Sequence, residues 1–158
     1  YFYDSGSILV YQYPSHGTLL DLINSYKLKN TSMPESLVYH FSLQLLSIVS
    51  DMHECGILHA DIKPDNILLQ SSLTSILHSF ENWTVEEVLA LDKRSLKLID
   101  FGRSIDLALY PDRTAFMHVF QDDKCPEMRD GKPWSYQLDY YGLATSIYTM
   151  LMGVHCKI

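Results

Sequence analysis

His59-Ala60-Asp61-Ile62-Lys63-Pro64-Asp65-Asn66, with Asp100-Phe101-Gly102 further along, is the stretch on which the reading of this chain turns. The polar centre over 59–66 lies between two apolar pieces, Ile57-Leu58 and Ile67-Leu68-Leu69. Both are too short for helices and predict small strands. Leu96-Lys97-Leu98-Ile99 predicts another strand, running directly into the second motif. Upstream, Leu37, Val38, Phe41, Leu45, Leu46, Ile48, Val49 and Met52 recur with helical period. They predict a core helix over 35–53, stopped by Gly56. Taken singly, Pro64-Asp65-Asn66 is an ordinary turn and His59 a half-buried histidine. Taken together, so many fixed residues at fixed spacing arise by chance at about one in a million positions.

Outward from this centre, 7–13 is a β-rich run ending at Pro14, and Pro14-Ser15-His16-Gly17 is a turn. Thr18 opens a short helix carrying Leu19, Leu20, Leu22 and Ile23. Asn30-Thr31-Ser32-Met33-Pro34 breaks the chain. Residues 70–95 begin serine-rich and carry a short helix capped by Thr84, with Glu87 at the box position. Residues 103–133 read as loop, punctuated by Pro111, Pro126, Gly131 and Pro133. A second buried helix is predicted over 136–152 from Leu138, Leu143, Ala144, Ile147, Tyr148, Leu151 and Met152. No internal repeat is present.

The chain has 158 residues, 47% of them apolar, which is enough for a real core. Its 12 Lys+Arg against 19 Asp+Glu give a net charge of −7, which argues against a general nucleic-acid-binding surface. Cys55, Cys125 and Cys156 are far apart, with no CxxC pair, so a disulfide framework is not expected and a reducing compartment is. No apolar run approaches the ~18 residues that span a bilayer, so no membrane partner is expected. Tyr1-Phe2-Tyr3-Asp4 lacks the basic and apolar regions of a signal peptide. With no initiator Met at one end and no cap at the other, both ends read as cut.

The string His-x-Asp-x-Lys-x-x-Asn, followed by Asp-Phe-Gly, resembles the catalytic loop and metal-binding triplet of eukaryotic protein kinases. The resemblance implies an α+β, protein-kinase-like fold. Most of it would be the helical large lobe over 17–158, with the last small-lobe strand and hinge over 1–16 and an insertion over 70–95. It implies ATP and magnesium (Mg2+) as cofactors. Asp61 stands at the catalytic-base position, and Lys63 faces the phosphoryl group and points to a serine/threonine kinase. Asn66 and Asp100 stand as the magnesium ligands, and the backbone of Tyr11 and Tyr13 as the adenine-binding hinge. His59, Phe101 and Gly102 are structural. So are Glu127, in a Cys125-Pro126-Glu127 that stands where kinases carry Ala-Pro-Glu, and Asp139, which ties down the catalytic loop from a central helix. The combination suits phosphoryl transfer: one carboxylate takes the substrate hydroxyl's proton, a lysine offsets charge, and an amide and a second carboxylate hold the metal.

Gly17-Thr18-Leu19-Leu20, Asp100-Phe101-Gly102-Arg103-Ser104-Ile105-Asp106-Leu107 and Lys132-Pro133-Trp134-Ser135-Tyr136-Gln137-Leu138-Asp139-Tyr140-Tyr141-Gly142 are more specific. With the catalytic string, they resemble the mitotic checkpoint kinases of the budding-uninhibited-by-benzimidazole (Bub) family over nearly the whole chain. That resemblance implies a nuclear and cytoplasmic protein that gathers at kinetochores. Its protein substrate would be a core histone of centromeric chromatin. A WD-repeat checkpoint partner and a kinetochore scaffold would bind through regions outside this chain. The other branch of the family is largely a checkpoint-complex scaffold, and that alternative stays open. A small-molecule phosphotransferase fits less well, since those enzymes usually lack Lys63 and the Glu127 region. Ala60 departs from the pattern: it replaces the Arg that pairs with an activation-loop phosphate, so switching by that contact is not expected. Asp61 to Asp100 spans 39 positions, hence the insertion. No Gly-rich loop, strand lysine or helix glutamate precedes the hinge, and the Arg that pairs with Glu127 is missing. The isolated chain is therefore expected to be inactive.

Overall fold

A computed structural model describes residues 2–3, 6–7, 10, 16–70, 84, 95–117 and 125–154. At the start, β1 (Phe2–Tyr3) pairs antiparallel with β2 (Gly6–Ser7). Apart from Ser7 and Val10, the strand predicted over 7–13 lies outside the described residues, and so do Tyr11 and Tyr13. The helix α1 (Leu19–Leu28) begins as Thr18 predicts. Thr18 Oγ1 accepts from the Asp21 N–H at 3.1 Å, and the Asp21 carboxylate accepts from the Thr18 N–H at 2.8 Å. This reciprocal capping box satisfies two otherwise unpaired donors.

The long helix α2 (Glu35–Glu54) buries Leu37, Val38, Phe41, Leu45 and Val49, the stripe that its helical spacing aligns on one face. It ends at Cys55, and Gly56 turns the chain with φ of 72°, a left-handed conformation that favours glycine. The chain then forms β3 (Ile57–Leu58), a 3-10 turn (Pro64–Asn66), β4 (Ile67–Leu69) and β5 (Leu96–Leu98). Strands β4 and β5 pair antiparallel with Ile67 opposite Leu98 and Leu69 opposite Leu96. Leu96 and Leu98 are buried and Lys97 is exposed, the alternation of a strand covered on one face. The ladder is closed where Gln70 N–H donates to the Ser95 carbonyl at 2.8 Å. From α2, Gln44 Oε1 accepts the Ser95 N–H at 2.7 Å and the Leu96 N–H at 3.2 Å. The long excursion between β4 and β5 therefore leaves and returns at one clamped point. Its interior, including the helix predicted after Thr84, lies outside the described residues.

Among the described residues of 103–133, short regular elements stand where the prolines predict loop. Strand β6 (Ile105–Asp106) pairs antiparallel with β3, and a 3-10 turn covers Leu107–Leu109. A short helix, α3 (Pro126–Arg129), starts on Pro126, whose missing N–H is no loss at a first helical position. A two-residue strand and a four-residue helix are too short to leave a period in the sequence. Helix α4 (Gln137–Met152) packs against α2.

Two apolar clusters result. One joins α1, α2, β4, β5 and α4 around Leu19, Leu37, Phe41, Leu45, Ile67 and Met150. The other joins Ala60, Cys125, Met128, Trp134 and Leu138. Trp134 also exchanges two backbone hydrogen bonds with Phe116, at 2.7 and 2.9 Å. Full burial of such large side chains contributes about 1.5–3 kcal/mol each. Residues 59–62 contribute to both clusters, Ala60 to the second and Ile62 to the first.

Candidate active site

The loop between β3 and the Pro64–Asn66 turn is held from beneath by one carboxylate. Asp139, in the first turn of α4, is buried. Its Oδ2 accepts from the His59 N–H at 2.9 Å and its Oδ1 from the Ala60 N–H at 2.7 Å. A third donor, His53 Nε2 at the end of α2, lies 2.8 Å from Oδ2. The His53 ring meets Tyr136 and Tyr140 edge-on, at centroid distances of 4.6 and 5.6 Å. A buried carboxylate is tolerable only with such full hydrogen bonding. Ala60 has φ of 63°, a region that non-glycine residues rarely adopt. The Asp139 bonds hold it there. Gly142, one turn further along α4, lets the helix press against the loop. A Cβ at Gly142 would stand 2.5 Å from the Ile62 carbonyl oxygen and 2.9 Å from Ile62 Cβ.

His59 is fully buried and uses both ring nitrogens. Nδ1 accepts from the Asp61 N–H at 3.2 Å, so Nε2 carries the proton donated to the Ile99 carbonyl at 3.0 Å. Its ring meets Phe101 edge-on at 4.8 Å. Ser104 Oγ donates to the His59 carbonyl at 3.3 Å. One histidine thus bonds the backbone at both motifs.

The Asp61 carboxylate is nearly buried. Asn66 Nδ2 donates to its Oδ2 at 2.9 Å and to the Asp61 carbonyl at 2.9 Å. Lys63 Nζ lies 3.1 Å from Oδ1, and an Arg103 guanidinium nitrogen lies 3.5 Å from the same oxygen. The Ile99 N–H donates to the Asn66 carbonyl at 2.9 Å, which sets Asn66 beside the residue preceding Asp100. Asp100 is exposed and left-handed, with φ of 63°, and its Oδ1 accepts from the Gly102 N–H at 3.3 Å. Phe101 is 52% exposed.

Both hydrogen bonds of the Asn66 amide to Asp61 are donated by Nδ2, so the carbonyl oxygen Oδ1 is the acceptor this side chain offers. Together with the Asp100 carboxylate this makes an oxygen donor pair, the chemistry magnesium takes. No group of three or more acidic, His or Cys side chains able to hold a metal occurs among the described residues. The oxygen donors of Asn66 and Asp100 fit magnesium.

Glu127 is half-buried in α3 and stands apart from this cluster; its carbonyl accepts the Lys132 N–H at 2.8 Å. Burial, with the nearby Glu127 carboxylate adding to it, pushes the Cys125 thiol up, against an opposing contact from the Met128 backbone. His53, Gly142 and Arg103 are the residues that the sequence reading passed over. His53 reads as the end of an amphipathic helix, and only the fold brings it to Asp139. Gly142 follows Asp139 in the same motif, but its close approach to Ile62 leaves no local signal.

A protein kinase domain matches residues 1–156 of this chain. The chain belongs to the protein kinase family. It is 43% identical over 161 aligned positions to the mitotic checkpoint serine/threonine-protein kinase BUB1 of Mus musculus, covering 99% of this chain and 14% of that protein. Identity to the protein of the same name from Arabidopsis thaliana is 39%, over 99% of this chain and 30% of that one. The solved BubR1 kinase domain superposes with a TM-score of 0.76 at 40% identity, covering 92% of this chain and 40% of that one. The fold is the protein kinase fold, and the helical body described above corresponds to its C-terminal lobe. Within the family, the similarity runs to the Bub1 spindle-checkpoint kinases. The chain spans less than a third of these curated relatives.

Proposed function

We propose that this chain is the catalytic part of a serine/threonine protein kinase of the spindle checkpoint, transferring the ATP γ-phosphate to a protein hydroxyl. Its parts are the last small-lobe strand and hinge over 1–16, the large lobe over 17–158 and an insertion over 70–95. Tyr11 and Tyr13 hold adenine by their backbone. The whole protein works in the nucleus and at kinetochores, with a core histone as substrate. Its WD-repeat partner and kinetochore scaffold bind outside this chain. The names of its relatives support the checkpoint setting.

One observation carries the chemistry. A nearly buried carboxylate, Asp61, is aimed by the Asn66 amide at 2.9 Å, and Asn66 is tied by its backbone to the strand end that presents Asp100. Asp61 accepts the proton of a serine or threonine hydroxyl as its oxygen bonds to the γ-phosphorus and the bond from that phosphorus to ADP breaks. Lys63, which lies beside Asp61, offsets charge on the transferring group. Magnesium, held at Asn66 and Asp100 when ATP is bound, neutralises phosphate charge. Asp139 and His59 keep the loop in this arrangement without touching substrate.

The test is transfer from magnesium-ATP to core histones by the full-length protein, beside Asp61→Asn. The reading expects acid-stable phosphoserine or phosphothreonine, reduced about 10²- to 10⁴-fold by the substitution. Background transfer by folded protein of both kinds would replace it with the checkpoint-scaffold reading.

A further inference from the structure

Lys63 and Arg103 both place a cation beside Asp61, and the chemistry above uses only Lys63. Lys63 Nζ lies 3.1 Å from Oδ1 with its side chain 38% exposed, and Arg103 Nη1 lies 3.5 Å from the same oxygen with its side chain 32% exposed. The carboxylate between them is 6% exposed. A carboxylate so little hydrated depends on its charged neighbours for its orientation. The position before Asp61 offers none, because Ala60 has only a methyl group and is itself buried in the second apolar cluster. The guanidinium comes instead from the turn Phe101–Arg103, across the site.

During transfer, the Lys63 ammonium is drawn toward the phosphoryl group, and its hold on Asp61 Oδ1 weakens. Arg103 then remains beside that oxygen. The turn that carries Arg103 closes without the guanidinium, through the Asp100 contact to the Gly102 N–H and a 3.1 Å bond from the Ser104 N–H to the Phe101 carbonyl. We infer that Arg103 is a positioning residue: it keeps the Asp61 carboxylate aimed at the acceptor hydroxyl when Lys63 turns to the phosphate, and so couples the Asp100 turn to the catalytic loop.

This inference rests on Asp61 as the proton acceptor, and the experiment separates the two. In the full-length protein, Arg103→Gln, Arg103→Lys, Asp61→Asn and the Asp61→Asn/Arg103→Gln pair are compared. Arg103→Gln is expected to lower kcat by about 10- to 100-fold, the range for a misaligned catalytic group. The ATP KM, the equilibrium affinity for magnesium-ATP and the melting temperature stay at wild-type values. Arg103→Lys restores most of kcat. On the Asp61→Asn background, Arg103→Gln has no further effect, because the group it orients is gone. A kcat for Arg103→Gln within twofold of wild type, a loss carried in KM alone, or an equal further loss on the Asp61→Asn background would each overturn the inference. Asp61→Asn turning over at the wild-type rate would instead remove the reading beneath it.

Discussion

The catalytic loop and the Asp100-Phe101-Gly102 triplet lie side by side but are held in opposite ways. The loop is fastened from below: Asp139 takes two of its backbone N–H groups, His59 is fully buried, and Gly142 presses against Ile62. The triplet is exposed at Asp100, Phe101 and Gly102, and its turn is closed by the Asp100 contact to the Gly102 N–H and by the Ser104 N–H bond to the Phe101 carbonyl. The difference teaches that contacts within the fold hold the loop's shape, while the triplet leaves its carboxylate exposed. Substitutions under the loop should therefore damage stability and chemistry together. A substitution at Asp100 should damage chemistry alone.

Asp139→Ala should have the largest effect on stability. It leaves the His59 and Ala60 N–H groups and His53 without their partner, which costs about 3–5 kcal/mol by analogy with broken buried pairs. Chemical denaturation of the full-length protein measures it, and an unchanged midpoint would show that the loop is not held from α4. Gly142→Ala comes next. Its methyl group would meet the Ile62 carbonyl at 2.5 Å, so the helix and loop must separate. Overpacking of this kind costs about 1–3 kcal/mol, and amide exchange in 59–62 should speed up with it.

Thr18→Ala, far from both regions, should cost about 1 kcal/mol through loss of the α1 cap. Phosphoryl transfer under conditions where the protein is folded should not change, and a selective loss of transfer would show that the α1 cap also bears on the chemistry. The smallest effect belongs to the exposed pair Asp130–Lys132 at 2.7 Å. The Lys132 ammonium, by hydrogen bond and charge, holds the Asp130 carboxyl below its ordinary value. Any stability from it is thus present above the ordinary carboxylate range and lost as pH falls through the lowered value. Because solvent screens the pair, Asp130→Asn should leave the melting curve unchanged from neutral to acid pH.

The long helices were legible because Leu37 through Met52 and Leu138 through Met152 repeat with a period that survives in the sequence. The start of α1 at Thr18 was legible because capping chemistry is local, although the reciprocal bond from Asp21 was not foreseen. Residues Asp61, Lys63, Asn66 and Asp100 could be singled out by their spacing, and the structure brings the first three into one hydrogen-bonded cluster. What the sequence hid depends on distance along the chain. His53 and Asp139 meet across 86 positions, and Arg103 reaches Asp61 across 42. The pairing of β3 with β6, rather than with β4, also follows from the fold of the intervening chain. Residues 105–109 and 126–129 passed as loop because turns and elements this short carry no period.

The most direct measurement is single-turnover phosphoryl transfer by the full-length protein with magnesium-ATP, wild type beside Asp100→Asn, with the melting temperature of each recorded without nucleotide. Transfer by the wild type, its disappearance in Asp100→Asn and coinciding melting temperatures are the expected results. Undiminished transfer by Asp100→Asn would contradict the assignment of the exposed triplet to the chemistry, and a large fall in its melting temperature would contradict the division between a self-held loop and an open triplet.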